Sequence, residues 1–157
     1  MRLILTCAVA LGLAASIALA GEESPVLDRA DCWRCFYTFG AVQSESGGSY
    51  TCVRTAGTKA VSPPADWFKA EFDDLSWAPL RGGLETDLAH FVRQAYYRGC
   101  FEVADPAAAA GLRVLVAVRG GAVVYVNGEE VGRVAVPAGA VTDATWAGSY
   151  PMEAYGV

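Results

Sequence analysis

The chain holds one histidine, His90, and two methionines, and its 12 Lys+Arg are outnumbered by 17 Asp+Glu. Each shortage excludes something. A lone histidine beside Phe91 on an apolar stretch, with no neighbouring Ser or Cys, reads as a structural residue and supplies neither a triad base nor a metal cluster. A formal charge of −5 argues against nucleic acid, which attracts basic patches. No serine stands in a Gly-x-Ser-x-Gly setting, and no glycine-rich phosphate loop joins a strand to a helix. After residue 20 no apolar run is long enough to span a bilayer. The adjacent acids Asp73-Asp74 and Glu129-Glu130 point to opposite sides of an extended chain, so neither pair forms the facing carboxylates of a glycosidase. No catalytic residue, metal site or cofactor is therefore expected.

Long apolar character is confined to the start. Arg2 is followed by an apolar run from Leu3 to Leu19, and Ala18-Leu19-Ala20 has the small-x-small form of a cleavage site before Gly21. Residues 1–20 are read as a signal peptide, which places the protein in the periplasm or outside the cell with no stable membrane span after cleavage. Residues 21–31 read as a flexible linker, and residues 32–157 as one domain with a core of its own. Without Arg2 the formal charge is about −6.

Cys7 leaves with the signal peptide. Cys32, Cys35, Cys52 and Cys100 remain, an even number in an exported chain, and they are disulfide candidates. Four cysteines allow three pairings, and spacing does not choose among them. Cys32-Trp33-Arg34-Cys35 resembles a zinc half-site without its second half. It also resembles a redox motif without the βαβ setting.

The rest is patterned for strands. Cys32 to Ala41 is aromatic-rich and extended, and Tyr50 to Thr55 is a short strand candidate. Tyr97 to Val103, Leu112 to Val118, Ala122 to Val126 and Glu130 to Val136 are further strands bounded by Gly and Pro. Asn127-Gly128 between two apolar runs predicts a type I′ hairpin, since that turn needs positive φ at both central residues. Arg119-Gly120-Gly121-Ala122 predicts a second tight turn. Trp67 to Leu80 fits neither period and reads as an irregular, aromatic-anchored connection. Leu84, Leu88, Phe91, Val92 and Ala95 have helical spacing and predict one short helix over Leu84–Ala95. The tail from Ala138 reads as loop. The fold class is all-β, an antiparallel β-sandwich with one short helix.

Tyr97-Arg98-Gly99-Cys100-Phe101-Glu102-Val103-Ala104-Asp105-Pro106, followed by the Tyr125-Val126-Asn127-Gly128 hairpin, resembles the galactose-binding-like jelly-roll domains found beside β-galactosidase-type glycoside hydrolases. Phe72-Asp73-Asp74-Leu75-Ser76-Trp77 is similar to an upstream element of the same domains. The resemblance covers Trp67 to Val136 and implies a jelly roll that binds carbohydrate or a surface, without catalysis. The closing strands that follow the hairpin in such domains are missing here. Against that pattern, either the early strands near Cys32 and Tyr50 take their place, or the chain is a truncated relative whose open sheet edge takes a partner chain or is covered by Ala144–Tyr155. Trp146 and Tyr150 on the tail are candidates for stacking on a sugar ring. Asp73 and Asp74 are candidates for ligand contact, with turn chemistry as their other reading.

Overall fold

The computed structural model describes residues 2–9, 13–19, 22–28, 31–39, 42–43, 49–50, 61–81, 92–103, 107, 112–118 and 120–148. Over these residues the protein is made of strands in antiparallel sheets, with no α-helix among them. In chain order the strands are β1 (Arg2–Val9), β2 (Leu13–Leu19), β3 (Glu22–Leu27), β4 (Cys32–Phe39), β5 (Val42–Gln43), β6 (Ser49–Tyr50), β7 (Ala78–Arg81), β8 (Val92–Glu102), β9 (Arg113–Val118), β10 (Ala122–Val126) and β11 (Glu129–Val134). Six of them form one sheet in the order β11-β10-β1-β8-β4-β7; β3-β2-β9 form a second sheet, and β5 pairs with β6.

The hairpin expected at Asn127-Gly128 is present. Asn127 has φ 51° and Gly128 φ 88°, and the turn joins β10 to β11. Asn and Gly enter the left-handed region at low steric cost, which is why this pair sets the register of both strands. The β-branched run after Leu112 alternates as a half-buried strand should. Leu112, Val114 and Val116 pack on the core, while Arg113 and Leu115 are exposed.

One expectation changes, and two segments read as lying outside the domain carry strands. The helix over Leu84–Ala95 is not what its last residues form: Val92 and Ala95 belong to β8, and residues 82–91 lie outside the described part. β8 is buried on both faces, so its described residues show no period-2 contrast that would mark a strand. The linker at 21–31 contains β3, and Leu27 is buried in the core. Residues 1–20 contribute β1 and β2 in the full chain. Arg2–Val9 is antiparallel to β8 along its whole length and to β10 from Leu5 onward. An apolar run of this kind suits a central strand as well as it suits a leader.

The six-stranded sheet is covered on both faces. On one, Trp33 and Cys35 of β4, Ala95, Tyr97 and Phe101 of β8, and Ala122 and Val124 of β10 form the main core with Leu27. The Trp33 indole N–H donates to the Asp28 carbonyl at 2.7 Å, so its polar end is satisfied at the rim. On the other face, Trp67, Trp77 and Tyr96 form a second cluster, with Phe36, Phe68, Phe72 and Tyr125 packed around it. The irregular segment 61–77 supplies four of these seven rings and lies across the sheet as a cover.

At Gly99 the main core packs directly against backbone. A Cβ there would lie 2.7 Å from Leu27 Cδ2 and 2.8 Å from Trp33 Cζ3. Gly99→Ala is expected to destabilise the protein by about 1–3 kcal/mol through overpacking against a rigid indole. A lowered urea midpoint with an unchanged slope is the measurement that checks it.

Candidate functional site

Arg98 organises the aromatic face. It lies on β8 with its side chain 2% exposed. Its Nε donates to Asp74 Oδ2 at 2.8 Å, Nη1 donates to the carbonyls of Trp67 and Lys69, and Nη2 donates to the Phe72 carbonyl at 3.4 Å. The guanidinium carbon also stands 5.3 Å from the Phe72 ring centroid. A buried cation needs both an anion and acceptors for its remaining N–H groups, and the 67–74 segment turns its carbonyls inward to supply them. β4 is tied to Trp77 and to the start of β7 by two side-chain bonds, from Arg34 Nη1 to the Trp77 carbonyl and from Cys35 Sγ to the Ala78 carbonyl.

Two clefts flank this segment. The first, about 540 Å³, is lined by Cys32, Arg34, Glu71, Asp74, Arg98 and Cys100 among others. Its charged groups are largely spent on each other and on backbone. The second, about 500 Å³, lies between the 62–68 stretch, the β10–β11 hairpin and the 139–143 loop. Phe68 and Tyr125 stack in it with centroids 4.7 Å apart, and Trp67 and Tyr96 form its deeper wall. Glu130, Arg133, Thr142 and Asp143 supply its polar rim.

A β-bulge builds that rim. Val124 of β10 faces Gly132, but Tyr125 faces Glu130, so Val131 is an extra residue on β11. In a regular strand Glu130 and Arg133, three apart, would point to opposite faces; the inserted residue brings both to the Tyr125 side. They form a two-point ion pair, Nε to Oε1 at 2.8 Å and Nη2 to Oε2 at 2.7 Å. Arg133 also donates to the carbonyls of Pro137 and Gly139, fixing the following loop. Arg133 holds the Glu130 carboxyl below its ordinary range, so Glu130 is an anion and an acceptor and not a proton donor.

The opposite wall is equally fixed. Gln94 Nε2 donates to the Thr142 carbonyl at 2.7 Å, and Gln94 Oε1 accepts from the Tyr96 hydroxyl at 2.7 Å. Thr142 N in turn donates to Thr145 Oγ1. Burial pushes the Tyr96 phenol up to about 12.

The residues singled out from sequence are scattered. Asp74 lines the first cleft as the partner of Arg98, and Asp73 Oδ1 accepts from the Leu75 N–H at 3.0 Å, which is turn chemistry. Trp146 is 42% exposed, and the Arg93 guanidinium stands over its ring at 4.4 Å. It does not line the second cleft. Tyr150 and Cys52 lie outside the described residues. Cys32 and Cys35 occupy opposite faces of β4, so the Cys-x-x-Cys spacing brings no two sulfurs together for redox or zinc chemistry. Among the described residues there is no disulfide and no cluster of metal-ligating side chains. Phe68, Tyr125, Glu130, Arg133 and Asp143 were missed by sequence reading. The alternation of Val123 and Tyr125 marks one face, but nothing in sequence marks the bulge.

No family model matches the chain, and neither the curated proteins nor the solved structures contain a match to it.

Arg98→Ala is expected to cost about 3–5 kcal/mol, because Asp74 and three carbonyls lose their buried partner. Thermal unfolding of the variant checks it. Alkali acts on the neighbouring phenol. An unfolded tyrosine ionises near pH 10, whereas Tyr96 keeps its proton to about 12. The stability it contributes is whole below pH 10 and declines from there to pH 12. Denaturation midpoints across that window should fall less steeply in Tyr96→Phe.

Proposed function

We propose that the chain is a non-catalytic, exported carbohydrate- or surface-binding module on a galactose-binding-like β-sandwich. Two sheets share one apolar cluster, in which Leu27 and Val114 from the smaller sheet meet Trp33 and Tyr97 from the larger. The observation that carries the binding reading is the second cleft. A sugar ring presents an apolar face and a rim of hydroxyls. The cleft offers stacked rings beside an anion held in place by a two-point ion pair. Glu130 is already oriented, so a hydroxyl donating to it meets a preformed acceptor.

A second reading, an interaction module that takes a partner strand, is favoured by the place of β1. β8 and β10 are each antiparallel to β1, and so parallel to each other with one strand between them. If residues 1–20 leave as a signal peptide, both strands lose a ladder of hydrogen bonds at the centre of the sheet.

The two readings separate by experiment. Screened against a glycan array, the folded protein is expected to retain a defined set of sugars. Tyr125→Ala and Glu130→Gln should each weaken that binding about tenfold, while Trp146→Ala leaves it unchanged. A folded protein that retains no glycan overturns the first reading. For the second, the mass of the exported chain gives its mature N-terminus. A chain starting at Gly21 that is monomeric and unfolds cooperatively overturns the partner-strand reading, whereas association supports it.

A further inference from the structure

The first cleft holds two cysteines that strand register brings together. Arg34 faces Arg98, Cys35 faces Tyr97 and Phe36 faces Tyr96 across the antiparallel β4–β8 ladder. Carried two residues past its last pair, the same register would set Cys32 opposite Cys100. The ladder ends at Arg34 and Arg98, and beyond it both chains continue along the same cleft, whose lining includes Cys32, Gly99 and Cys100. Alternation places Cys32, Arg34 and Phe36 on one face of β4, and Tyr96, Arg98 and Cys100 on the same face of β8. Both cysteines are exposed and both line the Arg98 cleft.

Opposed residues of antiparallel strands have Cα atoms about 4.5–5.5 Å apart, within the range of about 4.4–6.8 Å that a disulfide spans. We propose that Cys32 and Cys100 are joined by a cross-strand disulfide once the protein meets an oxidising compartment. One cysteine, as thiolate, attacks a disulfide oxidant, either oxidised glutathione or a dithiol oxidase of the export route. A mixed disulfide forms and one oxidant sulfur leaves as a thiol. The second cysteine, also as thiolate, displaces the other oxidant sulfur. One S–S bond is made, the oxidant's S–S bond is reduced to two thiols, and the two protein protons pass by way of solvent to those thiols.

Cys35 is excluded from this pair by geometry. It sits on the opposite face of β4, buried at 3% exposure, and its Sγ donates to the Ala78 carbonyl at 3.3 Å. Burial also pushes its thiol up, which keeps it protonated and unreactive. The bridge would close a loop that contains the 61–81 segment and would tie β4 to β8 beside Arg98.

Trypsin makes the test direct, because cleavage after Arg29, Arg34, Arg98 and Arg113 puts Cys32 in the peptide Ala30–Arg34 and Cys100 in Gly99–Arg113, while Cys35 and Cys52 share the peptide Cys35–Arg54. The full chain, purified reduced and then equilibrated with oxidised and reduced glutathione, is digested and analysed by mass spectrometry without reduction. A cross-link between the two shorter peptides is expected, lost on reduction and unaffected by Cys52→Ser. The oxidised protein should melt on the order of 10 °C above the reduced one, a difference abolished in Cys100→Ser. Recovery of Cys32 and Cys100 as separate glutathione adducts, or linked to the Cys35–Arg54 peptide, overturns the proposal.

Discussion

A guanidinium taken out of water must find an anion and acceptors for every N–H, and that requirement at Arg98 shapes the aromatic face of the protein. β8 carries the charge into the interior, so the chain from Trp67 to Asp74 must fold back over the sheet and present its carbonyls and one carboxylate to it. A helix or strand in this segment would spend those carbonyls on its own ladder. The irregular backbone there follows from the demand of the buried cation, and the rings of Trp67, Phe72 and Trp77 are carried into place with it. Both clefts are the two sides of this cover.

The second cleft is built by three polar devices. The Glu130–Arg133 pair holds the hairpin side, Gln94 holds the 142–145 turn, and the Tyr96 hydroxyl joins Gln94 to the wall of rings. The Gln94 and Tyr96 bonds satisfy interior groups that would otherwise cost free energy, while the Glu130–Arg133 pair fixes geometry near the surface. A cleft whose acceptors and rings are positioned before a ligand arrives loses little entropy on binding. That is the physical ground for reading it as a recognition surface. Glu130, held as an anion by Arg133, suits that role better than proton transfer.

Much of the strand order was legible. Asn127-Gly128 specified a turn with its register, because only a few residues tolerate its backbone angles. Cys32 to Phe39 and the β-branched runs after Leu112 were readable as strands for the same local reasons. The helix read over Leu84–Ala95 was misplaced at its C-terminal end. β8 is buried on both faces there, its polar Gln94 and Arg98 included, so no alternation of exposure could be expected from its residues. The candidate site was legible only in part. Asp74 was noticed as one of a pair, but its partner is 24 residues away in Arg98.

The sequence by itself determined the all-β character, the hairpin and the alternation of individual strands, because turn conformation and side-chain period are local properties of the chain. Tertiary structure alone decided which residues share a cleft. The bulge at Val131, the cover laid over Arg98 and the placing of Cys32 and Cys100 on one cleft all depend on how strands distant in sequence are set together. Register is settled by packing and by satisfaction of buried polar groups, and neither has a signature in any short window of residues.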